Sequence, residues 1–267
     1  MIRNILKADF KRVFRQRQLT IVLIYVVIVA AIYCFSQDGS WVSVNASSDG
    51  VKFWGFYPDP TQQGIFYENG YSVYDAIAAA SVAHTVFFPI FAIVFIHQFF
   101  FKDTKDYLAE VSFARGISRS RYLLSKLIVI SIVLQVSYFV VSFAVGLIYF
   151  FQLHPDSFAQ FFGALIQKAF WNSVISESFI VFCMGLYALL RNGISATMII
   201  FVVTFGGMIL QMSLPELDIP LHLAYWMKIS GMDNSSSILF STCLFSVTSF
   251  LLFYLISYYG ITKTRRN

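Results

Sequence analysis

Residues 123–151 read LLSKLIVISIVLQVSYFVVSFAVGLIYFF, a run whose one charged side chain, Lys126, stands close to its start. A helix rises about 1.5 Å per residue, so roughly 20 apolar residues cross the ~30 Å hydrocarbon core of a bilayer. A stretch of this length and composition predicts a transmembrane helix. Five further stretches meet the same criterion, at about 19–35, 76–101, 166–190, 194–212 and 238–259. The whole chain agrees with this reading. Its 267 residues are 58% hydrophobic and only 12% charged, whereas a soluble domain averages about 45–50% apolar and about 25% charged. The sequence therefore predicts an all-α integral membrane protein of six transmembrane helices forming one domain, residues 1–267, and excludes an ordinary soluble globule. The first span follows a basic segment unlike the n-region of a cleaved signal, and it is expected to stay in the mature protein.

Of the 19 Lys and Arg residues, all but Lys52, Lys168 and Lys228 fall before the first span, between the second and third, between the fourth and fifth, or after the sixth. The positive-inside rule then places both termini in the cytoplasm, at the plasma membrane. The formal charge of +5 reads as topology and contact with anionic headgroups of the lipid bilayer, with no nucleic-acid role. Cys34, Cys183 and Cys243 fall inside predicted spans, where a thiol acts as a small hydrophobe, and they form no metal or disulfide framework.

Residues 2–17 place Ile2, Ile5, Leu6, Phe10, Val13 and Phe14 on one arc of a helix and Lys7, Lys11, Arg12 and Arg15 on the other, the pattern of a basic helix lying in the membrane interface. The outer loop, 36–75, is rich in aromatics such as Trp41, Trp54, Tyr67 and Tyr74. It reads as a belt on the outer headgroups, with a lid over a transport path as the other reading. Residues 213–237 contain Pro215 and Pro220 followed by an apolar stretch too short to span, which predicts a re-entrant element.

Between spans two and three stands KDTKDYLAEVSFARGISR, residues 102–119. Tyr107, Leu108, Val111 and Ala114 recur at helical spacing, Gly116 is a natural stop, and Ser118 can cap the helix that continues into span three. A short cytoplasmic helix between two long spans is expected. This segment resembles the signature of type 2 ABC export permeases: Glu-x-x-x-Gly-Thr, an apolar turn, Pro-x-Ser-Arg, and a Lys seven residues on. Asp103 falls on the leading acid, Asp106 and Glu110 on further acidic positions, Ser118 and Arg119 on the Ser-Arg pair, and Lys126 on the Lys. Tyr107-Leu108 replace Gly-Thr, and Gly116 replaces the Pro.

The resemblance extends to the interface helix, the six spans and the re-entrant element. It implies the permease subunit of an ATP-driven exporter, working as a dimer with a second copy or a sister permease in a bacterial cell membrane. It also implies that the short helix is a coupling helix, with Asp103, Asp106, Tyr107, Leu108, Glu110, Val111, Ser118 and Arg119 docking on a separate ATPase subunit. The chain carries no G-x-x-x-x-G-K-[ST] loop, so it is not expected to be an enzyme. It would bind no cofactor itself, with ATP and Mg held by the partner. Compact permeases of this kind export amphiphilic peptides such as bacteriocins and lantibiotics, which sets the expected substrate class.

Inside the predicted spans, Glu177 shares a helical arc with Asn172, Ser173 and Ser176. An ionisable group at that depth costs at least about 2.5–3.5 kcal/mol, so this face must look into protein or water, with His84 or Lys168 as candidate partners. Interhelical packing and a substrate-path or proton-coupled role both remain open. Pro89, between His84 and His97, should kink span two. Thr204, Gly206 and Gly207 offer a small face for close helix contact, including contact across a dimer. Two other function classes stand beside the exporter: a non-transporting scaffold or sensor, and a secondary transporter using Glu177 as proton carrier.

Overall fold

The computed structural model describes residues 2–15, 18–35, 43–47, 50–55, 87–105, 108–153, 158–213 and 236–263. They form α1 (Ile2–Arg15), α2 (Gln18–Phe35), a hairpin of β1 (Ser43–Ser47) and β2 (Gly50–Gly55), α3 (Phe87–Thr104), α4 (Leu108–Ala114), α5 (Arg119–Leu153), α6 (Phe158–Leu190), α7 (Gly193–Ser213) and α8 (Ser236–Lys263).

Among the described residues four stretches are long and apolar enough to cross a membrane: Phe87–Thr104, Arg119–Ala144, Phe158–Leu190 and Cys243–Thr262. Helices α2 and α7 contribute the shorter apolar stretches Gln18–Val29 and Gly193–Gly206. Such sequences are helical because a helix satisfies every backbone group within itself, which lipid requires. Apolar side chains also cover the outside. On α5, Ile132, Val136, Val140 and Phe143 are exposed, and on α8 so are Leu244, Val247, Leu251 and Leu255. A surface of this extent has no counterpart on a soluble monomer and suits contact with acyl chains.

The described chain is nearly all helical, as expected; the exception is residues 43–55, where β1 and β2 pair antiparallel from Ser43↔Gly55 to Ser47↔Gly50 with an irregularity between Asn45 and Ala46. In the sequence Ser48-Asp49 precede Gly50, the first residue of β2, and an Asp-Gly pair favours the tight turn of a hairpin. Around the junction of the third and fourth expected spans, α5 continues to Leu153 and α6 begins at Phe158. Helices of 35 and 33 residues measure about 50 Å, well beyond a hydrocarbon core. The re-entrant element at 213–237 and most of the outer loop lie outside the described residues.

Helix α3 runs through the centre. Phe88, Phe95, Ile96 and Phe99 are buried along it, against Tyr25 of α2, Ile130 and Leu134 of α5, and Phe179 and Tyr187 of α6. Tyr25 and Phe91 stack with ring centroids 4.3 Å apart and planes 3° from parallel. The described part of α3 starts at Phe87, two residues before Pro89. The irregularity within it is a π-helical turn at His97–Phe101. This wider turn buries Phe99, Phe100 and Phe101 in succession, which one face of a regular α-helix does not do.

Helices α6 and α8 approach closely at two glycines. A Cβ on Gly260 would stand 2.7 Å from the Ala188 carbonyl carbon, and one on Gly185 would stand 3.3 Å from Ser257 Oγ. Among the described residues a Cβ on Gly206 would meet Val202 of its own helix, at 3.7 Å. The small-residue contact between the described parts of α6 and α8 thus lies at Gly185 and Gly260, and the side of Gly207 is outside the described residues.

Candidate functional site

The end of the bundle that carries α1 holds a buried ionic cluster. Its centre is Lys126, about two turns into α5 from its capped start. The ammonium lies 2.7 Å from Asp103 Oδ2 at the end of α3 and 2.7 Å from Asp9 Oδ1 on α1. Arg12 of α1 pairs with the same Asp103 carboxylate, and Ser125 Oγ donates to Asp9 Oδ2 at 2.9 Å. Below the cations lies the Phe99 ring, with Lys126 Nζ 4.3 Å and Arg12 Cζ 5.8 Å from its centroid. Two acids and two bases compensate one another, and a ring face accepts the cations, as charges away from water require.

This arrangement corrects one expectation. Asp103 was expected among the exposed acids of the docking loop, but it is 1% exposed and locks three elements together. Asp103 and Lys126, the two ends of the signature-like segment, meet directly. Sequence reasoning missed Asp9 and Arg12. The available signal was Asp9 itself, the one acid of α1, on the arc that carries Leu6, Phe10 and Val13.

Beside the cluster, α4 is held by its C-terminal end and its inner face. Ile117 N donates to Ser112 O at 3.2 Å and Gly116 N to Phe113 O at 3.0 Å, with Gly116 at φ +83°. This pair of bonds and a left-handed glycine stop a helix by satisfying its last carbonyls. Ser118 then accepts from Arg121 N at 3.4 Å as cap of α5. The glycine stop and the serine cap are both as expected. Ala109 is buried, Phe113 meets the Tyr122 ring edge-on at 5.4 Å, and Arg119 Cζ stands 5.6 Å from the Phe113 ring. Arg119 also donates to Thr262 O at 3.3 Å, tying α5 to the end of α8. On the outer side, Leu108 and Val111 are 44% and 45% exposed and Glu110 is exposed. Asp106 and Tyr107 lie outside the described residues.

A second polar group lies between α5 and α6, midway along both. Ser131 Oγ donates to Glu177 Oε2 at 2.7 Å, and Gln135 Nε2 lies 2.8 Å from Glu177 Oε1 and 2.7 Å from Ser176 Oγ. Asn172 Nδ2 donates to the Tyr138 hydroxyl at 2.9 Å. Ser173 bonds within its own helix, to Ala169 O at 2.8 Å. The expected partners of Glu177, His84 and the Lys168 side chain, lie outside the described residues. The partners present come from α5. Among the described residues no group of three His, Cys, Asp or Glu side chains is placed to hold a metal ion.

No family model matches the chain. No curated protein matches it either.

Proposed function

We propose that the chain is the membrane-spanning subunit of an ATP-driven exporter, with α4 as the element that receives a separate ATPase. The observation that carries this reading is the construction of α4. It is a seven-residue helix fixed at its C-terminal end by the glycine stop and along its inner face by Phe113, yet it presents Leu108 and Val111 outward. Exposed aliphatic side chains on a rigid helix, with an acid beside them, suit a protein partner that buries the former and pairs with the latter. A rigid-body movement of that partner would pass through α4 into α3 and α5, because Asp103 and Lys126 join those two helices at its base.

In this reading α2 and α7 span the membrane together with the four longer helices, giving six spans with both termini on the cytoplasmic side. Two permease subunits form the transport path. The outward-facing apolar stretches and aromatic outer loop support an amphiphilic peptide or another hydrophobic compound as substrate. Glu177, bonded by Ser131 and Gln135, supports a packing role for that acid.

The test is purification of the tagged full chain from its own cells in mild detergent. A co-purifying protein that carries a G-x-x-x-x-G-K-[ST] loop and hydrolyses ATP is the expected result. A stable chain with neither companion nor hydrolysis overturns the proposal.

A further inference from the structure

Helix α1 has two unlike faces. Val13 and Asp9 are buried, and Leu6 and Phe10 lie against the core. The opposite face carries Arg3, Lys7, Lys11 and Arg15, all exposed. Their spacing of four residues sets them in one gently winding stripe about 18 Å long. Each neighbouring pair places like charges at i and i+4, an arrangement that destabilises an isolated helix. No acid of α1 relieves it, because its one carboxylate, Asp9, is turned inward onto Lys126 and Ser125. Among the described residues none of the four cations has an ion-pair partner.

The stripe cannot rotate away. Asp9 and Arg12 anchor α1 to α5 and α3 through buried ion pairs, so the outward direction of the four cations is set by the fold. Phe14, 65% exposed, stands at the edge of the same face. Two residues after α1 ends, the apolar helix α2 begins, which sets the stripe at the level where acyl chains give way to headgroups. A line of cations flanked by one exposed ring at that depth complements anionic phosphate headgroups and an adjoining acyl chain.

We propose that the Arg3, Lys7, Lys11 and Arg15 face of α1 is a binding surface for anionic lipid headgroups, selecting them over zwitterionic ones. The inference does not depend on the transport reading. The contact is electrostatic, so it weakens with salt, and the apolar contribution of Phe14 does not.

The experiment places the full chain, with its three cysteines replaced and a single fluorophore at Ala8→Cys, in nanodiscs. Ala8 is exposed beside the stripe. Quenching is compared between phosphatidylglycerol and phosphatidylcholine carrying the same headgroup spin label, at equal mole fraction in otherwise identical phosphatidylcholine discs. Wild type should show at least a threefold excess of quenching by the anionic lipid, lost at 0.5 M NaCl. The excess should also be lost in the variant Arg3→Gln/Lys7→Gln/Lys11→Gln/Arg15→Gln. Equal quenching by both lipids in wild type overturns the proposal and assigns the stripe to a soluble acidic partner. An excess that persists in the fourfold variant overturns it as well. The wild-type comparison stands even if the variant inserts poorly.

Discussion

Lys126 Nζ lies 2.7 Å from Asp103 Oδ2, joining the start of α5 to the end of α3, and each of these side chains is at most 3% exposed. The pair does not stand alone, since Asp9 and Arg12 of α1 complete it. Removing one member of a buried ionic set leaves an uncompensated charge, which costs about 3–5 kcal/mol. Lys126→Met leaves two carboxylates facing Arg12 alone. We expect the purified protein to lose more than 5 °C of thermal stability in detergent. Asp103→Asn should cost less in a Lys126→Met background than in wild type. Additive losses in that double-mutant cycle would show that the pair is uncoupled.

Gly116 holds φ +83° with open space around its missing side chain. The penalty for Gly116→Ala is therefore conformational, about 1–2 kcal/mol, with no steric clash. α4 should fray at its C-terminal end, raising the reactivity of a cysteine placed at Ser112 while the apolar helices keep their thermal transition. Unchanged reactivity would mean that tertiary contacts, Phe113 on Tyr122 above all, define the end of α4 without the glycine.

Gly260 and Gly206 make opposite predictions. A methyl at Gly260 has no room against the Ala188 backbone, whereas at Gly206 the nearest heavy atom is 3.7 Å away. Gly260→Ala should separate α8 from α6 and cost about 1–3 kcal/mol. Gly206→Ala should be neutral or stabilising by up to about 1 kcal/mol, from helix propensity alone. Thermal denaturation of both variants checks this. A large loss at Gly206 would reveal a contact made by a second copy of the chain.

How much of this was legible beforehand depends on how far apart the partners lie in sequence. The stop at Gly116 and the cap at Ser118 act within a few residues, and local reading found them. The ionic cluster joins positions 91 and 117 residues apart. Asp103 consequently looked like one more exposed acid of a charged loop. Glu177 was recognised as needing a partner, but Ser131 and Gln135 sit on a neighbouring helix whose rotation no single-sequence pattern fixes. Gly260 is the one glycine of α8, and Gly185 lies about six turns from Gly163, the other glycine of α6, so no paired small-residue motif marked them out until α6 and α8 met. The hairpin at 43–55 was hidden because its strands are short and stand among aromatic residues that also suit a headgroup belt.

Glu177 accepts from Ser131 and Gln135, and an amide of the same shape keeps most of that bonding. Glu177→Gln should therefore leave stability within about 0.5 kcal/mol and transport near wild type. Glu177→Leu takes the acceptor from the half-buried Ser131 hydroxyl and leaves Gln135 to Ser173 and Ser176, and should cost about 1–3 kcal/mol. Transport measured at matched expression separates the roles. Abolished transport in a stable Glu177→Gln protein would replace the packing role by one in proton or substrate handling.

The proposed docking role of α4 can be separated from its structural role because the two would use different side chains. Leu108, Glu110 and Val111 point outward, whereas Ala109 and Phe113 hold the helix in place. Trimming Leu108→Ala/Val111→Ala removes side chains that are each close to half exposed, so folding should stay within about 1 kcal/mol of wild type. If an ATPase buries those side chains, each is worth about 1 kcal/mol or more at the interface, and the double variant should bind at least ~10-fold more weakly. Glu110→Lys reverses a charge at the rim and should mainly slow association, most clearly at low salt. Asp103→Asn is the control, since it weakens the fold and leaves the docking face intact. Pull-down of the ATPase and substrate-stimulated hydrolysis in membranes report on all three variants. Loss of both in the Leu108/Val111 variant, with normal insertion, is the expected pattern. Wild-type association and stimulation in that variant and in Glu110→Lys would remove α4 as the point of coupling.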